Sequence, residues 1–200
     1  MRSPFESRAI VVVATVAVLF AASAGAQHVL DQNQPSGSSD IANFSQPDLA
    51  QSFQPGKLPS SGARILLVAG QGSTDTVTIQ LWTALPNVGG ATMLAQGSAQ
   101  GTPGQWVDVY WTPVSVTVGQ TYYLVFTSSD SSLLIGGDLS NPYPNGNVYA
   151  NAGYVSWPTY DYAFRTWTRG SAIPVLGRSG LIILGVLMLA AGVVALRRFA

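Results

Sequence analysis

The run Thr76-Val77-Thr78-Ile79-Gln80-Leu81-Trp82 alternates polar and apolar side chains. In an extended chain that alternation sends Val77, Ile79 and Leu81 to one face and the threonines and Gln80 to the other, which predicts a strand with one buried side. Val114, Val116 and Val118 repeat the pattern against Ser115 and Thr117. Residues 64–69, 106–111, 121–127 and 162–168 are rich in β-branched and aromatic side chains and are bounded by Gly, Pro, Ser, Asn and Asp, the composition of strands closed by turns. No segment between the two ends of the chain carries a helical stripe. Roughly six to nine short strands of this kind predict an all-β domain, a single antiparallel β-sandwich in which each sheet buries one face against the other.

Working outward from these strands, residues 27–168 read as the ectodomain. Within it, residues 32–48 are poor in apolar side chains and rich in Ser, Gln, Asn and Asp, and are expected to run as a long loop before a strand around Ala50-Gln51-Ser52-Phe53. Residues 169–180, with Gly170, Ser171 and Pro174, read as a linker. The chain shows no internal repeat.

The two ends carry a different code. Arg2 and Arg8 lead into an uncharged, strongly apolar stretch from residue 9 to 22, and Ala24-Gly25-Ala26 follows with the small side chains a signal peptidase accepts. Residues 1–26 are therefore expected to be a secretory signal peptide, cut after Ala26 with Ala24 and Ala26 in the peptidase pocket. Residues 181–196 are apolar or glycine throughout and are closed by Arg197 and Arg198. With Ser179 and Gly180 they span about 27 Å as a helix, enough for a hydrocarbon core. The arginines of the tail 197–200 are expected to stay cytoplasmic, which leaves the middle of the chain outside the inner membrane.

Ile173-Pro174-Val175-Leu176-Gly177-Arg178-Ser179-Gly180, followed by an apolar helix and terminal arginines, resembles the IPTL-CTERM sorting signal, a relative of PEP-CTERM. Ile173, Pro174, Leu176, Gly180, Arg197 and Arg198 match that pattern. Val175, Gly177, Arg178 and Ser179 stand where the family usually has Thr, Ser, Glu and Trp. The resemblance implies an exosortase-type processing enzyme in the inner membrane as partner. It further implies release to the cell envelope or the extracellular surface once the tail is cut.

The order of Ala50-Gln51-Ser52-Phe53, Val77 to Trp82, Thr121-Tyr122-Tyr123-Leu124-Val125-Phe126 and Tyr162-Ala163-Phe164-Arg165-Thr166 resembles the jelly-roll ectodomains of bacterial choice-of-anchor families. That resemblance implies a jelly-roll-like sandwich. It implies no biochemical activity.

The inventory of side chains excludes several chemistries. There is no cysteine, and 9 basic side chains balance 9 acidic ones, so thiol chemistry, disulfide staples and a basic nucleic-acid surface are absent. Between residues 27 and 172, Lys57, Arg64, Arg165 and Arg169 face eight aspartates and no glutamate, a mildly acidic balance that suits a solvated extracellular module. The one histidine, His28, sits two residues past the expected cleavage site and is expected to be mobile, so no Ser-His-Asp triad is predicted. No Gly-x-Ser-x-Gly elbow occurs, and Gly70-Gln71-Gly72 lacks the lysine of a phosphate loop. A pair of carboxylates could serve a glycoside hydrolase, but only Asp108, between Val107 and Val109, has an apolar strand context, and it is expected on the solvent face. The other aspartates are expected to cap turns. Asp31, Asp40, Asp130 and Asp138 are plausible calcium donors, although no D-x-D-x-D-G loop is present; no catalytic residue, metal ligand or cofactor is assigned.

The remaining signal is aromatic. Tyr143, Tyr149, Tyr154, Trp157 and Tyr160 crowd among Pro, Gly and Asn, a composition able to stack on sugars or to plug the open end of a sandwich. Tyr162 and Phe164 are expected to face the core, and Trp82 and Trp111 are open to either reading. The expected function is a non-enzymatic envelope or surface protein, a component of the extracellular matrix retained in exopolysaccharide. The alternatives are a carbohydrate-binding module that uses the loop aromatics and, behind it, a glycoside hydrolase.

Overall fold

The computed structural model describes residues 27–170 and the pair 185–186. The expected signal peptide with Ala24 and Ala26, the motif residues Ile173, Pro174, Leu176 and Gly180, and Arg197 and Arg198 lie outside the described residues, as does the membrane segment 181–196 apart from that pair. Among the described residues no helix is long and apolar enough to cross a membrane.

Gln27–Gly170 forms a compact unit built from thirteen strands: β1 (His28–Gln34), β2 (Ser39–Asn43), β3 (Leu49–Phe53), β4 (Ser60–Leu66), β5 (Asp75–Trp82), β6 (Met93–Gly101), β7 (Trp106–Val114), β8 (Tyr122–Ser128), β9 (Leu134–Asp138), β10 (Val148–Ala150), β11 (Val155–Trp157), β12 (Asp161–Tyr162) and β13 (Phe164–Arg169). They make a four-stranded sheet, β1-β13-β4-β7, a six-stranded sheet, β11-β10-β3-β8-β5-β6, and a small third sheet, β12-β9-β2. Every pairing is antiparallel. The unit is therefore all-β, as the period-two runs require.

Burial follows the alternation. Val77, Ile79 and Leu81 of β5 are buried while Thr76, Thr78 and Gln80 are not. Tyr122, Leu124 and Phe126 of β8 join them, and from the four-stranded sheet Ala63, Ile65, Val107, Val109 and Phe164 enter the same hydrophobic cluster. The inward faces of both larger sheets thus share one core. Tyr162, as expected, lies fully inside and meets Phe126 edge-on at 5.6 Å between ring centroids.

The hydroxyl of Tyr162 is a buried polar atom without a hydrogen-bond partner among the described residues. Burial also pushes its pKa well above the usual phenol value. Leaving a donor unmade costs about 1–3 kcal/mol, so Tyr162→Phe, which keeps the ring, is expected to raise the unfolding free energy by about 1 kcal/mol. Thermal unfolding of the two proteins side by side is the check, and a lower midpoint in the variant would mean that the hydroxyl is satisfied.

Three expectations need correction. Residues 32–48 are not one long loop: β1 extends to Gln34 and β2 occupies Ser39–Asn43. β1 is an edge strand with mostly exposed side chains, so its stability comes from the backbone ladder to β13 rather than from apolar side chains. The alternating valines after residue 113 do not form a strand either. β7 ends at Val114, which faces Ser60, the first residue of β4. Without a partner beyond that point, Val116 is buried from a loop and Val118 is 52% exposed. Finally, His28 is held in β1, where its Nδ1 lies 3.0 Å from the Ser61 hydroxyl and its ring packs on Tyr110 at 4.2 Å.

Candidate functional site

The crowded aromatics between residues 143 and 160 are dispersed by the fold. Tyr143 turns inward: it is 7% exposed and packs edge-on against Phe164 at 5.1 Å. Its hydroxyl donates to Gln32 Oε1 at 3.0 Å and accepts from the Gln54 amide at 3.2 Å, which satisfies the polar end of the ring. Tyr143 therefore leaves the candidate contact set. Tyr149 projects from β10 toward Tyr123 of β8, the two rings meeting edge-on at 5.7 Å. Tyr154 closes the β10–β11 hairpin in the left-handed region, with φ of 57°, and burial beside the Asp48 carboxylate pushes its hydroxyl up to about 12.

Trp157 and Tyr160 remain together. Tyr160 N–H donates to Trp157 C=O at 3.1 Å, closing a tight turn through Pro158 and Thr159. A second bond, from Val148 N–H to Tyr160 C=O at 3.3 Å, ties that turn to β10. The turn lays the two rings almost parallel, 5.7 Å apart and 11° from coplanar. They border a groove of about 230 Å³ whose other walls are Ile41, Gln46, Val148 and Ala150. A neighbouring hollow of about 280 Å³, lined by Asp40, Ile41, Ala42, Asn43, Gln46 and Leu134, shares Ile41 and Gln46 with it. The sequence pointed to the rings and, as a calcium donor only, to Asp40, but not to Gln46 or Asn43; all three polar residues belonged to a segment read as loop.

The carboxylates are arranged for structure. Asp108 sits on its strand's outer side, as expected, and pairs with Arg64 at 2.9 Å. Asp130 accepts the Ser73 and Ser132 amides at 2.7 and 2.8 Å, and these bonds hold its pKa below the usual aspartate value. Asp138 takes the Ser140 and Ser36 hydroxyls and the Ser140 amide, with the same downward effect. Asp31 accepts the Gly56 amide at 3.0 Å, yet burial raises its pKa. Among the described residues no three His, Asp or Glu side chains converge as metal donors.

Asp161 was not singled out by sequence, and it is the carboxylate that burial changes most. It is fully buried in β12, where its oxygens accept Gln51 Nε2 at 2.9 Å and the Tyr143 amide at 2.8 Å. Gln51, also fully buried, spends its own Oε1 on the Tyr162 amide at 2.9 Å. Desolvation outweighs these bonds and lifts the Asp161 pKa to about 6. Both oxygens are occupied by protein donors, so this carboxyl clamps β12 and the Tyr143 loop onto β3 and is not offered to a ligand. Its signal was legible only as an aspartate flanked by two tyrosines.

No family model matches the chain, and no curated protein matches it.

Proposed function

We propose that the chain is an exported, non-enzymatic β-sandwich protein of jelly-roll type, associated with the cell envelope or surface and delivered by its C-terminal sorting signal. The observation that carries this reading is the closure of the unit on itself. The first and last strands, β1 and β13, are antiparallel neighbours with His28 opposite Arg169, and Gly170 N–H donates to Gln27 C=O at 2.9 Å. The points where the export signal and the sorting tail attach are therefore adjacent on the module. A domain joined at one corner can be carried through export and held by its tail without disturbing its core. The engagement of Asp31, Asp108, Asp130, Asp138 and Asp161 in structural bonds favours this reading over the hydrolase alternative.

Intact mass of the protein extracted from the bacterial envelope tests the delivery. The expected species begins at Gln27 and lacks residues 181–200, the product of an exosortase-type processing enzyme. A species retaining Leu181 to Ala200 would reject the sorting step and leave a simple membrane-anchored protein.

A further inference from the structure

We infer that the groove beside Trp157 and Tyr160 is a binding site for neutral saccharides. The site goes beyond delivery to the surface, because it belongs to the folded unit whether or not the tail is processed. Its two walls have different chemistry. One is aromatic: Trp157 is 38% exposed, and its stacking on Tyr160 holds the ring in place before any ligand arrives. The other is polar: Gln46 accepts the Asn43 amide at 3.0 Å through Oε1, which fixes its side chain while Nε2 stays a donor, and Asn43 and the exposed Asp40 continue the polar wall into the adjoining hollow.

A pyranose ring has the same two characters, a face of C–H groups and a rim of hydroxyls. The C–H face suits an aromatic ring by dispersion and burial of apolar surface. The hydroxyl rim suits an amide donor and carboxylate or amide acceptors. Two hollows that share Ile41 and Gln46 can seat consecutive sugar units of one chain. Charge selects among glycans: among the described residues Asp40, in the adjoining hollow, is the one charged side chain that lines either hollow, so uronic-acid or sulfated polymers meet repulsion and neutral ones do not. The rings and Gln46 are held by bonds already made within the fold, which lowers the ordering cost of binding.

The test is isothermal titration of the full chain, purified in a detergent without a sugar headgroup. The probes are neutral hexasaccharides of glucose, mannose and xylose, and hexagalacturonate. Saturable binding of at least one neutral hexasaccharide and none of hexagalacturonate is expected. Trp157→Ala is expected to weaken that binding at least tenfold with an unchanged circular dichroism spectrum. Asp40→Ala, a change at an exposed side chain, is expected to weaken it severalfold and decides the matter if Trp157→Ala does not fold. Absence of binding to all three neutral probes, preference for hexagalacturonate, or variants that titrate like the parent would overturn the inference.

Discussion

Phe164→Ala is expected to lower the unfolding free energy by about 3–5 kcal/mol, the range for removing a large ring from a core that cannot collapse around the gap. Phe164 is fully buried at the start of β13. Its backbone faces Ile65 on β4 and Gln34 on β1, so it sits on an interior strand of its sheet with a partner on each side. Its ring contacts Tyr143 edge-on at 5.1 Å and Phe53 at 6.4 Å. Truncation therefore opens a cavity and also removes the support of Tyr143, whose hydroxyl links Gln32 to Gln54. Because β1, β3 and β13 meet at this cluster, the loss cannot be confined to one loop. Urea unfolding followed by tryptophan fluorescence should show a lower midpoint with an unchanged slope. A loss below about 1 kcal/mol would mean that the neighbouring rings close the gap.

Stability is also expected to fall as pH rises from about 4 to 6, by about 2–3 kcal/mol, through Asp161. The unfolded chain releases its aspartate proton near 3.8, whereas the folded carboxyl keeps it to about 6. Between those values the native state binds a proton that the unfolded state has lost, so raising the pH favours unfolding. The contribution is fully present below the unfolded value and is lost as pH passes through the folded one. Asp31, also raised by burial, adds the same sign. Asp130 and Asp138 are lowered, so their effect has the opposite sign and lies below the ordinary aspartate value. Asp161→Asn, which carries no titrating proton, is expected to flatten most of the slope. Denaturant midpoints measured from pH 4 to 7 for both proteins decide it, and a parent profile that is level or rising across this window would refute the role given to Asp161.

The candidate groove was half legible in the sequence. Trp157 and Tyr160 stood out as aromatics in a turn-rich segment, where exposed rings signal recognition. Their separation from Tyr143 and Tyr149 was not legible, because neighbours within seventeen residues point to different compartments once the backbone reverses at β10, β11 and β12. The polar wall was hidden for a different reason. Gln46, Asn43 and Asp40 lie in or beside β2, whose composition resembles a loop. β2 is nevertheless a strand because β9 supplies its hydrogen bonds, with Ser39 opposite Gly137 and Asn43 opposite Leu134.

The amino-acid sequence by itself determined which side of β5 is buried and that Tyr162 and Phe164 face inward. Alternation is a property of the extended backbone and needs no knowledge of the partner strand. Composition alone likewise removed thiol chemistry and basic nucleic-acid surfaces from consideration. The tertiary structure decided what depended on distant partners. Tyr143 is inside because Gln32, 111 residues away, receives its hydroxyl, and Asp161 is a clamp because Gln51, 110 residues away, meets it on β3. β1 is a strand because β13 lies beside it, although most of its own side chains are polar and its two apolar ones, Val29 and Leu30, are exposed. Such pairings join residues whose separation along the chain leaves no local trace, and only the closed antiparallel sheets bring them within hydrogen-bonding reach.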